Sequence, residues 1–318
     1  MWDSISQRIC KFLCEFGSEI HSQKCSLSQS RRTALRSLDD LAIVHPAVKS
    51  HYITLPTSTF PIPSKIFHNS KFYPYFKDCI GALDGTHCLM SVPEAMAIPY
   101  RSRKGGILQN VLAVCSFDMR FVYVLSGWEG SAPDTVVYKD ARENGFLIPP
   151  GRYNLGDGGY SMDRHTLIPY QKVQYHLREQ GKATTRPQKA RELYNLCHAM
   201  LRNIIERIFG VLERKWRILE HPLSYSVDTQ ADFVTAICII FNSIRQSDPW
   251  DSDVAAAEDL DEAALGEDND GPAVVPPQQG EPQEGPIATA ELRAMERFRD
   301  EIAEAMWTEY KARTKGRK

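Results

Sequence analysis

AMLRNIIERIFGVLERKWRILE, residues 199–220, is the stretch on which the fold turns. Leu201, Ile204, Ile205, Ile208, Leu212, Trp216 and Leu219 recur at three-and-four spacing, the pattern of a helix with one apolar face. At roughly 100° per residue, Glu206 falls about 130° from the centre of that face. It shares a stripe with Arg202, Glu213 and Arg217, and Gly210 follows one turn later. Two readings of the stripe stand side by side. In one it is a solvated face with an Arg202–Glu206 pair contributing about 0.2–0.5 kcal/mol. In the other, Glu206 is a carboxylate aimed along a cleft, with Gly210 leaving room for a metal or a phosphate. Asp84 and Asp157 upstream favour the second, because each is expected where a strand gives way to a turn.

Working outward from the helix, CIGALDGTHCLMSV (79–92) carries β-type residues on both sides of Asp84, with Gly85 just after it. RSRKGGILQNVLAVCSFD (101–118) reads as a basic turn leading into an apolar strand, and RFVYVLSGWEGS (120–131) as another, joined through Asp118-Met119-Arg120. Residues 134–144 read as a helix, with Asp134 near its N-terminus, where a carboxylate suits the helix dipole. RYNLGDGGYS (152–161) is a short strand ending on Asp157 with a Gly158-Gly159 turn. Residues 161–190 are a polar, basic excursion, and residues 231–244 a second apolar helix. The order strand, two antiparallel strands, helix, strand, helices predicts a mixed α/β layered domain.

The flanks differ in texture. Residues 2–20 have helical apolar spacing, residues 21–45 read as a loop and a short helix, and Pro56, Pro61 and Pro63 break regular structure. Residues 251–290 hold eleven acids and no base, and residues 291–318 hold eight bases and six acids. The net charge of −2 therefore leaves +7 on residues 1–250. A basic body on an acidic tether suits a polyanion partner. Eight cysteines, at 10, 14, 25, 79, 88, 115, 197 and 238, show no C-x-x-C spacing and read as reduced thiols of an intracellular protein. No apolar run approaches the roughly 18 residues of a membrane span, so no membrane partner is expected. After the acidic linker, Leu292, Met295, Phe298, Ile302, Met306 and Tyr310 make an amphipathic helix ending in KARTKGRK. Residues 291–313 are read as an interaction element outside the nuclease core, with an apolar stripe that needs a partner or the body surface, so deletion of residues 247–318 is expected to leave the melting transition nearly unchanged.

A carboxylate followed by glycine can approach a cation while the backbone turns away. Hard divalent cations choose carboxylate and phosphate oxygens, and two of them about 4 Å apart can activate water and stabilise the leaving oxygen of a phosphodiester. The residues around the acids resemble those of the PIF/Harbinger transposase family. The matching blocks are FYPYFKDCIGALDGTH (72–87), YRSRKGGILQNVLAVCSFD (100–118), FVYVLSGWEGSAPDTVV (121–137), IPPGRYNLGDGGY (148–160) and ELYNLCHAMLRNIIERIFGVLERKWRIL (192–219).

That resemblance implies an RNase H-like α/β fold, a mixed sheet flanked by helices, and a DDE endonuclease site that cleaves DNA phosphodiesters with Mg²⁺ or Mn²⁺. It implies Asp84, Asp157 and Glu206 as catalytic, metal-binding acids and Asp134 as an additional metal-site acid, although helix capping alone would explain Asp134. The implied organisation is a diverged helical region over residues 1–70, the endonuclease domain over 71–246, a disordered acidic linker over 247–290 and the C-terminal helix over 291–318. Implied partners are DNA and a Myb/SANT-like DNA-binding protein, a homo-oligomer is admitted, and the nucleus is the expected compartment.

Some features depart from the family. Pro133 stands where a histidine is common, Gly158 where alanine or serine is frequent, and no helix-turn-helix is evident in residues 1–70, which read as truncated or diverged. A catalytically silent, domesticated transposase acting as a binding module is therefore the alternative reading. Arg101, Arg103 and Lys104 form a basic turn suited either to DNA phosphates or to a solvated hairpin. His87 either orients Asp84 or is a packed histidine, and Trp128 reads as core. No G-x-S-x-G elbow and no G-x-G-x-x-G loop occurs around these acids, and a glycosidase would need neither the third acid nor the basic turn.

Overall fold

Five short apolar segments separate the helices and carry the sheet. They are Cys79–Leu89 (β1), Leu108–Cys115 (β2), Phe121–Glu129 (β3), Tyr153–Leu155 (β4) and Thr166–Leu167 (β5). A computed structural model describes residues 46–102, 105–173, 187–248 and 289–315. The helix expected over residues 2–20, the segment 21–45, Arg103, Lys104 and nearly all of the acidic linker lie outside the described residues.

The strand order is β3-β2-β1-β4-β5. β1 and β2 pair antiparallel, as do β2 and β3, whereas β4 joins β1 and β5 joins β4 in parallel. This is the mixed α/β sheet flanked by helices that the RNase H-like resemblance implies. β5 is an addition to the expected strands. Its two residues are too short to leave a pattern in residues 161–190, yet both are fully buried beside β4.

Helices cover the sheet. Residues Pro46–Tyr52 (α1), Ser64–Phe67 (α2) and Ala97–Tyr100 (α3) are short, followed by Asp134–Glu143 (α4), Ala190–Lys215 (α5), Val227–Ser247 (α6) and Thr289–Lys315 (α7). α5 starts nine residues earlier than the opening stretch suggested, because Leu193, Tyr194 and Cys197 extend its buried face. It also ends at Lys215, so Leu219 belongs to a following 3₁₀ turn, Arg217–Glu220. α5 packs on β1, β2 and β4, and α6 on β3.

Asn242 fixes α6 to the edge strand: its Oδ1 accepts from the Phe121 N–H at 2.9 Å, and its Nδ2 donates to the Phe121 carbonyl at 2.7 Å and to the Tyr52 carbonyl at 2.8 Å. By length and composition α6 is long and apolar enough to cross a membrane, contrary to the sequence expectation. However, 61% of that window is buried inside the body, which accounts for its hydropathy.

The expectation that the C-terminal helix stands apart is corrected. Its stripe finds the body surface: Ile302, Ala303 and Met306 join the common core, and α7 lies against α5. Polar contacts frame this seam. The Tyr170 hydroxyl donates to Asp300 at 2.6 Å, the Arg299 guanidinium sits 4.0 Å from the Tyr170 ring centroid, and Tyr75 donates to Glu309. Arg164 forms a fork on Glu291, at 2.7 and 3.0 Å.

Two expectations follow. Ile302→Ala should cost about 2–5 kcal/mol in a urea melt, as for other buried large-to-small changes, and removal of residues 289–318 should lower Tm rather than leave it unchanged. The second concerns His198 on α5, which is buried with its Nε2 3.2 Å from the Leu167 carbonyl. Burial pushes its pKa down to about 3. A histidine held neutral in the fold contributes stability that is present above its unfolded pKa of about 6.5 and lost as pH falls toward 3. His198→Gln keeps a donor for Leu167, so its Tm should fall less than that of the parent between about pH 6.5 and about pH 5.

Candidate active site

The site arises where β1 loses a neighbour. β4 pairs with β1 only as far as Leu155 opposite Ala82. Residues 79–83 of β1 are accordingly buried, whereas Asp84, Gly85 and Thr86 are half-exposed. Asp84 therefore does not end a strand, as the Asp-Gly pair suggested. It lies in the middle of β1, paired with Ala113 of β2, at the point where the other edge opens. Asp157 follows two residues after the last β4 residue, and its Oδ1 accepts from the Gly159 N–H at 2.9 Å. The turn expected there is present, with β4 itself ending before Asp157.

Arg202 and Glu206 come from α5, one turn apart. The predicted pair exists, but not on a solvated stripe. Arg202 Nη1 donates to Asp84 Oδ2 at 2.9 Å and Nη2 donates to Glu206 Oε1, with the arginine side chain only 7% exposed. Asp157 lies within electrostatic reach of the same guanidinium. Two of the predicted acids thus bond one interior cation, and a third acts on it electrostatically.

Burial pushes the Asp84 carboxyl up to about 7 against the pull of Arg202, and the neighbouring Asp157 and Glu206 push in the same direction as burial. Burial also raises Asp157. One turn beyond Glu206, a Cβ at Gly210 would meet only Arg214 Nη1, at 3.5 Å, so the helix surface there is open.

Asp134 is held differently. It is the first residue of α4 and makes no side-chain cap; instead its Oδ1 accepts from Asn110 Nδ2 at 2.8 Å. A Cβ on Gly85 would lie 2.8 Å from that same oxygen. Because successive strand residues point to opposite faces, Asp134 approaches β1 from the face opposite the Asp84 side chain. It is not among the groups around Arg202, although it acts electrostatically on Asp157 and Tyr160. Tyr160 is buried beside these acids, and its hydroxyl has no hydrogen-bond partner among the described residues.

The chemistry of the donors suits a hard divalent cation: carboxylate oxygens, partly desolvated, with an unsatisfied phenol beside them. Asp84, Asp157 and Glu206 would hold it. As the side chains stand, no three His, Cys, Asp or Glu among the described residues close on a common metal position; Asp84 and Glu206 close on Arg202 instead.

The remaining predicted residues lie farther out. Arg101 is exposed at the base of a hairpin bridged to Ile107. His87 is exposed at the rim of a cavity of about 270 Å³ lined by Thr86, Val111, Phe209 and Leu212. Trp128 packs against the core and donates to Asp140 at 3.0 Å.

Residues 83–242 match the model of the DDE superfamily endonuclease, a span that contains all four acids. The chain belongs to that family. Among curated proteins, the chain is similar to Protein ALP1-like of Arabidopsis thaliana, 25% identical over 250 residues, covering 73% of this chain and 56% of the relative. It is similar also to proteins named "Putative nuclease HARBI1". That of Rattus norvegicus is 28% identical over 197 residues, covering 59% of this chain and 52% of the relative. That of Homo sapiens is 25% identical over 181 residues, covering 54% and 48%. The chain thus spans about half the length of the curated relatives it matches, and those names agree with the Harbinger resemblance of its motif blocks. No solved structure matches it.

Three residues beside these acids have roles that the sequence does not make plain. Arg202 was paired correctly, but its burial was not foreseen. Asn110 had a signal in the two consecutive amides, Gln109 and Asn110, inside an otherwise apolar strand. Tyr160 ends the Asp-Gly-Gly-Tyr run, which carries no separate signal for a buried phenol. The close approach of Gly85 and Asp134 is testable. Gly85→Ala should destabilise by about 1–3 kcal/mol, as overpacking does. In urea melts its effect should combine with Asn110→Ala non-additively, by at least about 0.5 kcal/mol, because both perturb the same carboxylate.

Proposed function

We propose that this chain is a divalent-metal-dependent DNA endonuclease of the transposase-derived kind, in which Asp84, Asp157 and Glu206 are the metal-holding acids. The observation that carries this reading is that Asp84 of β1 and Glu206 of α5 share the buried Arg202 guanidinium, with Asp157 beyond the end of β4 acting on it electrostatically, all within the span of the endonuclease match. A carboxylate cluster taken out of water needs a counter-cation. The scissile phosphodiester would bring more negative charge to the same place. When bound, Mg²⁺ or Mn²⁺ supplies that countercharge and the polarisation that makes water, or a DNA 3′-hydroxyl, a competent nucleophile.

The chain's own residues set the conditions. Asp84 is ready to act as a ligand once ionised, and its raised pKa makes deprotonation part of cation binding. The Asp157 turn fixes one carboxylate oxygen on Gly159, and the other has no hydrogen bond among the described residues. The half-exposed stretch 84–86 of β1 gives an extended substrate strand access to the acids. Asp134, anchored by Asn110, supports the site electrostatically from the far side of Gly85 and is the fourth candidate ligand. The exposed Arg101, with its sequence neighbours Arg103 and Lys104, is the proposed phosphate-contacting group. DNA is the proposed substrate and the nucleus the proposed compartment, with sequence-specific targeting assigned to a Myb/SANT-like partner.

The second reading, a binding module without catalysis, is favoured by one observation: Arg202 already bridges Asp84 and Glu206. Nicking of supercoiled DNA carrying Harbinger-type terminal repeats, with Mn²⁺ or Mg²⁺, separates the two. The nuclease reading expects metal-dependent nicking that falls about a hundredfold or more in Asp84→Asn, the scale of losing one transition-state charge stabiliser. Equal cleavage by both proteins, or none by either while DNA is still bound, supports the module.

A further inference from the structure

Arg202 is the only cation in contact with the acids among the described residues, and its position is unusual for an arginine. It lies on the polar side of α5, yet its side chain is almost fully enclosed. Its fork is divided between two elements, with one nitrogen on Asp84 of β1 and the other on Glu206 one turn along its own helix. Each of these bonds occupies a carboxylate oxygen aimed at the cluster. Asp84 Oδ2 is taken by Arg202 while Oδ1 accepts the Gly85 N–H, so both Asp84 oxygens are engaged. Glu206 has one oxygen engaged by the guanidinium. A divalent ion at this point would compete with Arg202 for the same oxygens, and two cations cannot share them without repulsion.

We propose that Arg202 is an internal counter-cation that closes the acid site in the metal-free protein, and that a divalent ion enters only by displacing its guanidinium from Asp84 and Glu206. The inference rests on the metal-site reading of these acids. Arg202 is a gating and positioning residue: it holds the carboxylates desolvated but neutralised while no ion is present. Two consequences follow. Part of the free energy of metal binding is used to break the Arg202 bonds, so the native protein binds metal more weakly than the acids alone would. Conversely, the metal-free fold depends on Arg202 more than the metal-loaded fold does, because either cation can separate the like charges.

The test is Mn²⁺ titration by calorimetry, with parallel melting curves, of the full chain and of Arg202→Gln, which keeps a hydrogen-bond donor but carries no charge. The proposal expects the variant to bind Mn²⁺ at least about tenfold more tightly, the factor equivalent to one charge-assisted hydrogen bond no longer broken on binding. It also expects a lower metal-free Tm and a larger rise in Tm on adding Mn²⁺ than in the parent. A merely structural arginine would give weaker or unchanged binding, and that result overturns the gate while leaving the metal site standing. If neither protein binds Mn²⁺, the metal reading falls and the gate with it.

Should Arg202→Gln fail to fold, the parent protein decides. Phenylglyoxal labelling, read by mass spectrometry, should rise at Arg202 on adding Mg²⁺ as the guanidinium leaves the acids. Unchanged or reduced labelling at that residue overturns the proposal.

Discussion

The guanidinium of Arg202 between Asp84 and Glu206 is the interaction on which the site depends. It joins α5 to the central strand at the place where that strand has lost its β4 neighbour. Without a cation there, three partly desolvated carboxylates would face one another. Removing one member of a buried ion pair costs about 3–5 kcal/mol because the other is left unpaired. The core around the pair is well supplied with apolar contacts on α5, Ile204, Ile205 and Ile208 among them. Arg202 is therefore not required to hold the helix on the sheet; its burial is specific to the acids.

The geometry also explains why the site lies where it does. A strand flanked on both sides has no room for an acid, and residues 79–83 of β1 are apolar and buried. Once β4 stops at Leu155, its chain turns at Asp157, and the vacated edge lets carboxylates from β1, the β4 turn and α5 meet. Gly85 completes the arrangement from the other face: the absence of a side chain lets Asp134 come against the strand, where Asn110 on the paired β2 strand holds it. The order of strands, rather than any single motif, brings residues more than a hundred positions apart into one cleft.

Much of this was legible in the sequence, and the gaps have physical causes. The apolar stripe of α5 and the apolar runs of β2 and β3 predicted the elements that carry the site, and the resemblance of the five motif blocks implied the fold. The Asp84-Gly85 pair read as a turn because glycine after aspartate usually is one; here glycine serves a close approach within a continuous strand. β5 left no signal, since two residues have no period. The stripe on residues 291–313 was visible, but an amphipathic helix does not state its partner. Burial of Ile302 and Met306 against the body depends on Tyr170 and α5, far away in sequence. Likewise, i to i+4 spacing predicts an Arg202–Glu206 pair, whereas the third member, Asp84, comes from residues 118 positions away.

The central claim, that Asp84, Asp157 and Glu206 form one divalent-metal site, is tested most directly by anomalous diffraction from crystals of the full chain grown with Mn²⁺. The account predicts an anomalous peak within coordination distance of Asp84 and Asp157, with the Arg202 guanidinium moved off Asp84. A fully ordered site with no peak, Arg202 still bridging Asp84 and Glu206, and manganese found only elsewhere on the surface would contradict it.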